Sequence, residues 1–145
     1  MRLLLVVVLA LSRVAASSAA EKAPGRTVPL VAPSQIIDAT HLNRRNPGEV
    51  EVVILNLATG KEMTFQVERK PVAKIRSGHA FRFFLTPGRY RFGIIPTHQV
   101  PLTPYWEMRA DVKGAATQLY RIFQSSGFTS SGGNASYEIA FVPGD

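Results

Sequence analysis

The chain has 145 residues, seventeen Lys plus Arg against ten Asp plus Glu, a net charge of +7 and no cysteine. That length suits one domain with one core. The lack of thiols excludes disulfides, thiolate metal sites and cysteine nucleophiles. Small secreted domains of eukaryotes are ordinarily stapled by disulfides, so a cysteine-free exported chain points to a bacterial periplasm or envelope.

Export is read from the first twenty residues. Arg2 supplies a positive charge, Leu3 to Leu11 is an uninterrupted apolar run, and Ser and Ala then dominate through Ala20. This is the three-part pattern of a secretory signal peptide. Val14-Ala15-Ala16 and Ser18-Ala19-Ala20 both offer the small side chains that signal peptidase requires. The apolar run is too short for a bilayer, which takes about 20 apolar residues, and Arg13 closes it. Residues 1–20 are therefore expected to be cleaved, leaving a periplasmic or secreted protein that starts near Glu21 and has no transmembrane span. A lipoprotein anchor would need a Cys at the cut. Loss of Arg2 and Arg13 leaves fifteen basic residues against ten acidic, a net charge of +5. The basic residues are dispersed and the chain is exported, so nucleic acid is not the expected partner. An envelope protein or an anionic surface or glycan fits better.

Residues 21–48 hold Pro24, Gly25, Pro29 and Pro33 and read as an extended lead-in or linker. Within it, Ser34 is placed to cap a short helix that Asn46-Pro47-Gly48 would end. From Glu49 onward the signals are those of strands. Val50, Val52, Ile54 and Leu57 form a first run, and Asn56 to Lys61, with Thr59-Gly60, reads as a turn. Met63, Phe65 and Val67 alternate with Thr64, Gln66 and Glu68, the period of a half-buried strand. A short strand over Val72 to Arg76 ends at Ser77-Gly78. Phe81, Phe83 and Leu85 then share one side of a strand, and Tyr90, Phe92 and Ile94 one side of the next, with Pro87-Gly88 as the turn. Read as a hairpin, this register pairs Leu85 with Tyr90, Phe83 with Phe92 and Phe81 with Ile94 on one face. Arg82, Arg89, Arg91 and Phe84 then share the other face. Pro96 to Pro104 is a loop, Tyr105 to Val112 a strand, Lys113-Gly114 a turn, 117–124 a strand, 125–134 a Ser- and Gly-rich loop, and Tyr137 to Val142 a last strand. Six to eight short strands make an all-β chain, a small antiparallel β-sandwich over residues 49–145.

Catalytic chemistry finds little footing. No Ser lies in a Gly-x-Ser-x-Gly elbow. Asp38 and His41 would share a face if residues 34–45 were helical, but no nucleophile or second ligand follows at a recognisable spacing. His79, His98 and Met108 offer soft metal ligands without any His-x-His or Met-rich run to gather them. The expectation is no catalytic residues, no metal and no cofactor. Binding is better served. Arg82, Arg89 and Arg91, with Arg76 nearby, carry guanidinium groups that pair bidentately with carboxylate or phosphate, and Phe84 among them offers a ring for stacking. A solvated outer face of an amphipathic sheet accounts for the same residues. Tyr105-Trp106, after Pro101 and Pro104, is expected to turn one ring inward and mainly to fill core and rim; an exposed aromatic platform for a sugar ring or a partner chain is the alternative.

Val72-Ala73-Lys74-Ile75, then Arg76-Ser77-Gly78, then Phe81 to Leu85 running into Thr86-Pro87-Gly88-Arg89-Tyr90, resembles exported bacterial envelope domains of the PEGA-like type. In those a short strand and a Gly turn precede an aromatic strand and a Pro-Gly-x-Tyr turn. With Lys113-Gly114 and Tyr120-Arg121-Ile122 the likeness covers about fifty residues of strand and turn. It implies a prealbumin-like or carbohydrate-binding-like β-sandwich and brings no catalytic residues. The chain departs from the pattern in lacking the lipoprotein Cys and the literal Pro-Glu-Gly-Ala turn, so membrane anchoring does not carry over. The function expected is therefore an exported, non-enzymatic binding or structural domain of the bacterial cell envelope. A carbohydrate-binding module is the alternative.

Overall fold

The computed structural model describes residues 27–98, 106–125 and 136–144. The signal-peptide pattern, Tyr105 and all of the 125–134 loop except Ser125 lie outside the described residues. Among the described residues there are eight strands: β1 (Val50–Asn56), β2 (Met63–Val67), β3 (Lys70–Ile75), β4 (Ala80–Leu85), β5 (Gly88–Pro96), β6 (Trp106–Val112), β7 (Gln118–Ser125) and β8 (Ser136–Val142). They form two four-stranded sheets, a first in the order β4-β1-β7-β8 and a second in the order β3-β2-β5-β6. The fold is the all-β sandwich expected from the strand pattern. One pairing departs from antiparallel: β7 lies parallel to β1, with Val53 beside Leu119. No helix among the described residues is long and apolar enough to cross a membrane.

The alternation along each strand builds the core, because successive side chains point to opposite faces. Val52, Ile54, Phe81, Phe83, Leu85, Tyr120 and Ile122 face inward from the first sheet. Met63, Phe65, Ile75, Phe92, Ile94 and Val112 face them from the second, and all are buried.

The aromatic hairpin expected at residues 81–94 does not form. β4 pairs with β1, placing Phe83 beside Val52, and β5 pairs with β2 and β6. The connection at Thr86-Pro87 carries the chain from one sheet to the other. Phe83 and Phe92 do meet, with ring centroids 6.1 Å apart, but across the sandwich and not along a ladder. Both arrangements aim the same six residues at a common interior, so alternation alone does not separate them. Tyr90 folds back over the crossing, and its hydroxyl donates to the Thr86 carbonyl at 2.6 Å.

The N-terminal segment also differs from expectation. In place of a helix over 34–45 there is a single 3-10 turn, Pro33–Gln35. The surrounding backbone is spent on sheet edges instead. Val31 N–H donates to the Ala80 carbonyl, and Ile37 and Asp38 N–H both donate to the Val72 carbonyl. Phe84 N–H donates to the His41 carbonyl. The part of the lead-in from Pro29 to Leu42 thus packs along the edge of β4 in the first sheet and of β3 in the second, covering donors and acceptors that an open edge would expose. Asp38 and His41 consequently share no helix face. Asp38 accepts the Thr40 N–H at 2.8 Å, and its hydrogen bonds with Thr40 hold its carboxyl below the usual range.

Asn56 ties the sheets at one end. It is fully buried at the end of β1. Its Nδ2 donates to the Lys61 and Ile75 carbonyls at 2.8 and 2.7 Å, and its Oδ1 accepts the Ala58 N–H at 2.9 Å. One amide therefore closes the β1–β2 turn and grips the end of β3. Removing it takes a donor from the Lys61 and Ile75 carbonyls, the latter in a buried bond, and an acceptor from the Ala58 N–H. Asn56→Ala is expected to lower stability by about 3 kcal/mol in denaturant unfolding. Asn56→Asp is expected to be no better at neutral pH, because a carboxylate has nothing to donate. Phe83→Ala is expected to cost about 3–5 kcal/mol by the same measurement, since the ring is fully enclosed between the sheets.

Candidate functional site

The crossing at Thr86-Pro87 separates the residues expected to share one face. Outward residues of β4 and outward residues of β5 point to opposite sides of the sandwich. Arg82 and Phe84 lie on the outer face of the first sheet, and Arg89 and Arg91 on the outer face of the second. The single arginine face read from the hairpin register is thus corrected to two faces.

On the first sheet, Arg82 stands beside Val53 in the ladder, and Phe84 beside Glu51. Phe84 is half-buried and covered by the Arg44 guanidinium, 5.3 Å from its ring centre. A second such contact, Arg121 over Phe123 at 5.1 Å, lies on the same side. Both rings already hold a cation, so neither is a bare stacking platform.

The second sheet concentrates more charge. Arg91 stands directly opposite Arg109, Arg89 opposite Asp111, and Gly93 opposite Glu107. Arg89, Arg91 and Arg109 are exposed. Among the described residues no carboxylate lies within ion-pair distance of Arg91 or Arg109. Like charges directly opposite on neighbouring strands are destabilising, and a bridging anion relieves that repulsion with charge-assisted hydrogen bonds. The β2–β3 turn is anchored to the same place. Glu68 and Arg69 both have positive φ, at 51° and 64°, an unfavourable backbone for non-glycine residues. Glu68 N–H donates to the Arg91 carbonyl, and Arg91 N–H donates to Glu68 Oε1 at 2.7 Å. Arg69 Nε reaches Glu107 at 3.3 Å. Sequence reading missed Arg109 and Arg69. The charged phase Glu107, Arg109, Asp111 was visible, but its placement beside β5 depends on the sheet order.

Trp106 opens β6 and faces inward. Its ring meets Tyr137 edge-on at 5.9 Å and packs against the core. It fills the rim between the sheets and is no exposed platform. Beyond it, β6 and β8 part around a cleft of about 330 Å³ lined by Met108, Ala110, Tyr120 and Phe141 and by the polar residues Arg109, Asp111, Lys113 and Gln118. Tyr120 floors it, and burial, then the Asp111 carboxylate, pushes its hydroxyl above the ordinary range.

Other titratable groups serve local structure. Glu49 accepts the Arg45 N–H, which holds its carboxyl below the usual range. Glu62 accepts from Gln35 and faces Arg76 at 3.7 Å. The His79 ring contacts the Ser77 carbonyl at 3.1 Å. Among the described residues no group of three His, Asp or Glu is placed to hold a metal ion. If Trp106 is a rim residue, Trp106→Ala should cost about 2 kcal/mol in thermal or denaturant unfolding, less than a fully enclosed ring. No protein-family model matches the chain, and no curated protein matches it in sequence.

Proposed function

We propose that the chain is an exported, non-enzymatic binding domain of a bacterial cell envelope, and that it holds an anionic surface or glycan on the outer face of its second sheet. The observation that carries this reading is the Arg91–Arg109 pair, two exposed guanidiniums opposed on neighbouring strands with Arg89 alongside. The signal-peptide pattern of residues 1–20 supports export. Structural duties of Asp38, Glu49 and Glu62 support binding over catalysis. The carbohydrate-module alternative loses one of its platforms, because Trp106 faces the core.

An immobilised acidic polysaccharide and vesicles with anionic headgroups test the reading. The protein should bind one or both at low salt. Binding should fade at 1 M salt, where the screening length falls to about 3 Å. Arg91→Gln combined with Arg109→Gln should weaken it about tenfold, while Arg82→Gln on the opposite face leaves it unchanged. Equal loss from Arg82→Gln would point to unspecific attraction by net charge and overturn the assignment.

A further inference from the structure

The cleft between β6 and β8 has Arg109, one member of the arginine pair, in its lining, and the two features together describe a ligand. β6 sends Trp106, Met108 and Ala110 inward, while β8 sends Tyr137 and Phe141. Trp106 and Tyr137 close one end of the gap edge-on. Toward the other end β6 presents a small residue, Ala110, and the space it leaves is bordered by Phe141. Phe141 is 46% exposed, which leaves ring surface open to a ligand.

The walls are held in place. Tyr120 is 2% exposed. It meets Phe92 edge-on at 5.1 Å and Phe141 at 5.4 Å. Its hydroxyl donates to Gln118 Oε1, and Gln118 Nε2 donates to the Asp111 and Lys113 carbonyls, fixing the β6–β7 turn. The apolar floor is therefore a formed surface and not a loosely filled gap. A volume of about 330 Å³ falls at the lower end of the range for small-molecule sites, which pair apolar walls with a few placed polar groups.

Charge at the mouth decides the head group. Lys113 is engaged by Asp111 at 3.1 Å. Arg109 has no such partner among the described residues, and it stands opposite Arg91. We infer that the cleft seats the apolar chain of a single-chain amphiphile whose acidic head group is held by Arg109, with Arg91 across the ladder from it. This rests on the reading of that arginine pair as an anion site. It adds the apolar part of the ligand and the direction in which it lies.

Trp106 is the chain's single tryptophan. It lies two residues before Met108 on the same inward face, so its emission reports on the cleft. Decanoate, titrated below its micelle threshold into the purified protein, should change that emission saturably. It should also shift the amide resonances of Met108 to Lys113 and of Tyr120. Decyl phosphate should behave alike, whereas decanol, with the chain and no charge, should bind about tenfold more weakly. Phe141→Ala and Arg109→Gln should each weaken decanoate about tenfold. Both side chains are at least partly exposed, so both variants are expected to stay folded, with cooperative thermal melts as the check. No saturable response to decanoate, or an undiminished one in Phe141→Ala, would overturn the inference. Retention on anionic surfaces alongside such a failure would leave the arginine reading standing and remove the cleft alone. Full-strength binding by Arg109→Gln would remove the head-group assignment.

Discussion

Phe65 is the ring on which both sheets converge. From β2 it meets Phe92 of its own sheet at 5.3 Å, edge-on, and Phe81 and Phe83 of the opposite sheet at 6.4 and 5.6 Å. Phe81 and Phe83 stack at 5.1 Å, and Phe92 passes the contact on to Tyr120 of β7. Four strands from two sheets are thus joined through one set of rings. Tilted and edge-on pairs of this kind add about 0.5–1.5 kcal/mol each beyond the area they bury. A chain without disulfides has few other ways to hold two sheets together. Asn56, at the end of β1, adds the directional part, since its amide must find two backbone partners in the β1–β2 turn and one on β3 of the other sheet.

With both inner faces committed to the core, the surface open to any ligand is that of the outer faces and the open side of the sandwich. One side, between β4 and β3, is covered by residues 29–42. On the other, β6 and β8 are bridged at Trp106 and Tyr137 and then part. The charge distribution follows the same logic. On the outer face of the first sheet, Arg44 from the segment before β1 and Arg121 of β7 lie over Phe84 and Phe123. On the second sheet, Arg91 and Arg109 face each other, and the strained Glu68-Arg69 turn is hydrogen-bonded to the strand that carries Arg91. The features that suit ligand binding therefore gather along β5 and β6.

Legibility in the sequence varied by element, for identifiable reasons. β2 and β6 could be read because apolar and polar residues alternate cleanly along them, and their ends fall at turn residues such as Thr59-Gly60 and Lys113-Gly114. The tight β2–β3 turn was not foreseen, because Glu68 and Arg69 are not residues that favour positive φ. The helix proposed for 34–45 failed because its backbone groups find better partners on Val72, Ala80 and Phe84. Trp106 was correctly placed at the start of a strand, yet its inward aim follows from its position beside Ile94. Arg109 could be seen as an outward residue but not as the neighbour of Arg91.

What the amino-acid order determined by itself is the set of strands, which residues of each turn inward, and the absence of any thiol chemistry. Those properties depend on the two-residue period of an extended chain and on composition, and both are local. Which strands lie side by side was decided only by the tertiary structure. Alternation states that Phe83 and Phe92 face the same interior; it does not state whether they do so along one sheet or across two. The crossing at Thr86-Pro87 resolves this toward two sheets, because β4 finds its ladder on β1 and β5 finds its ladders on β2 and β6. That choice splits the arginines between opposite faces and brings Arg91 up against Arg109.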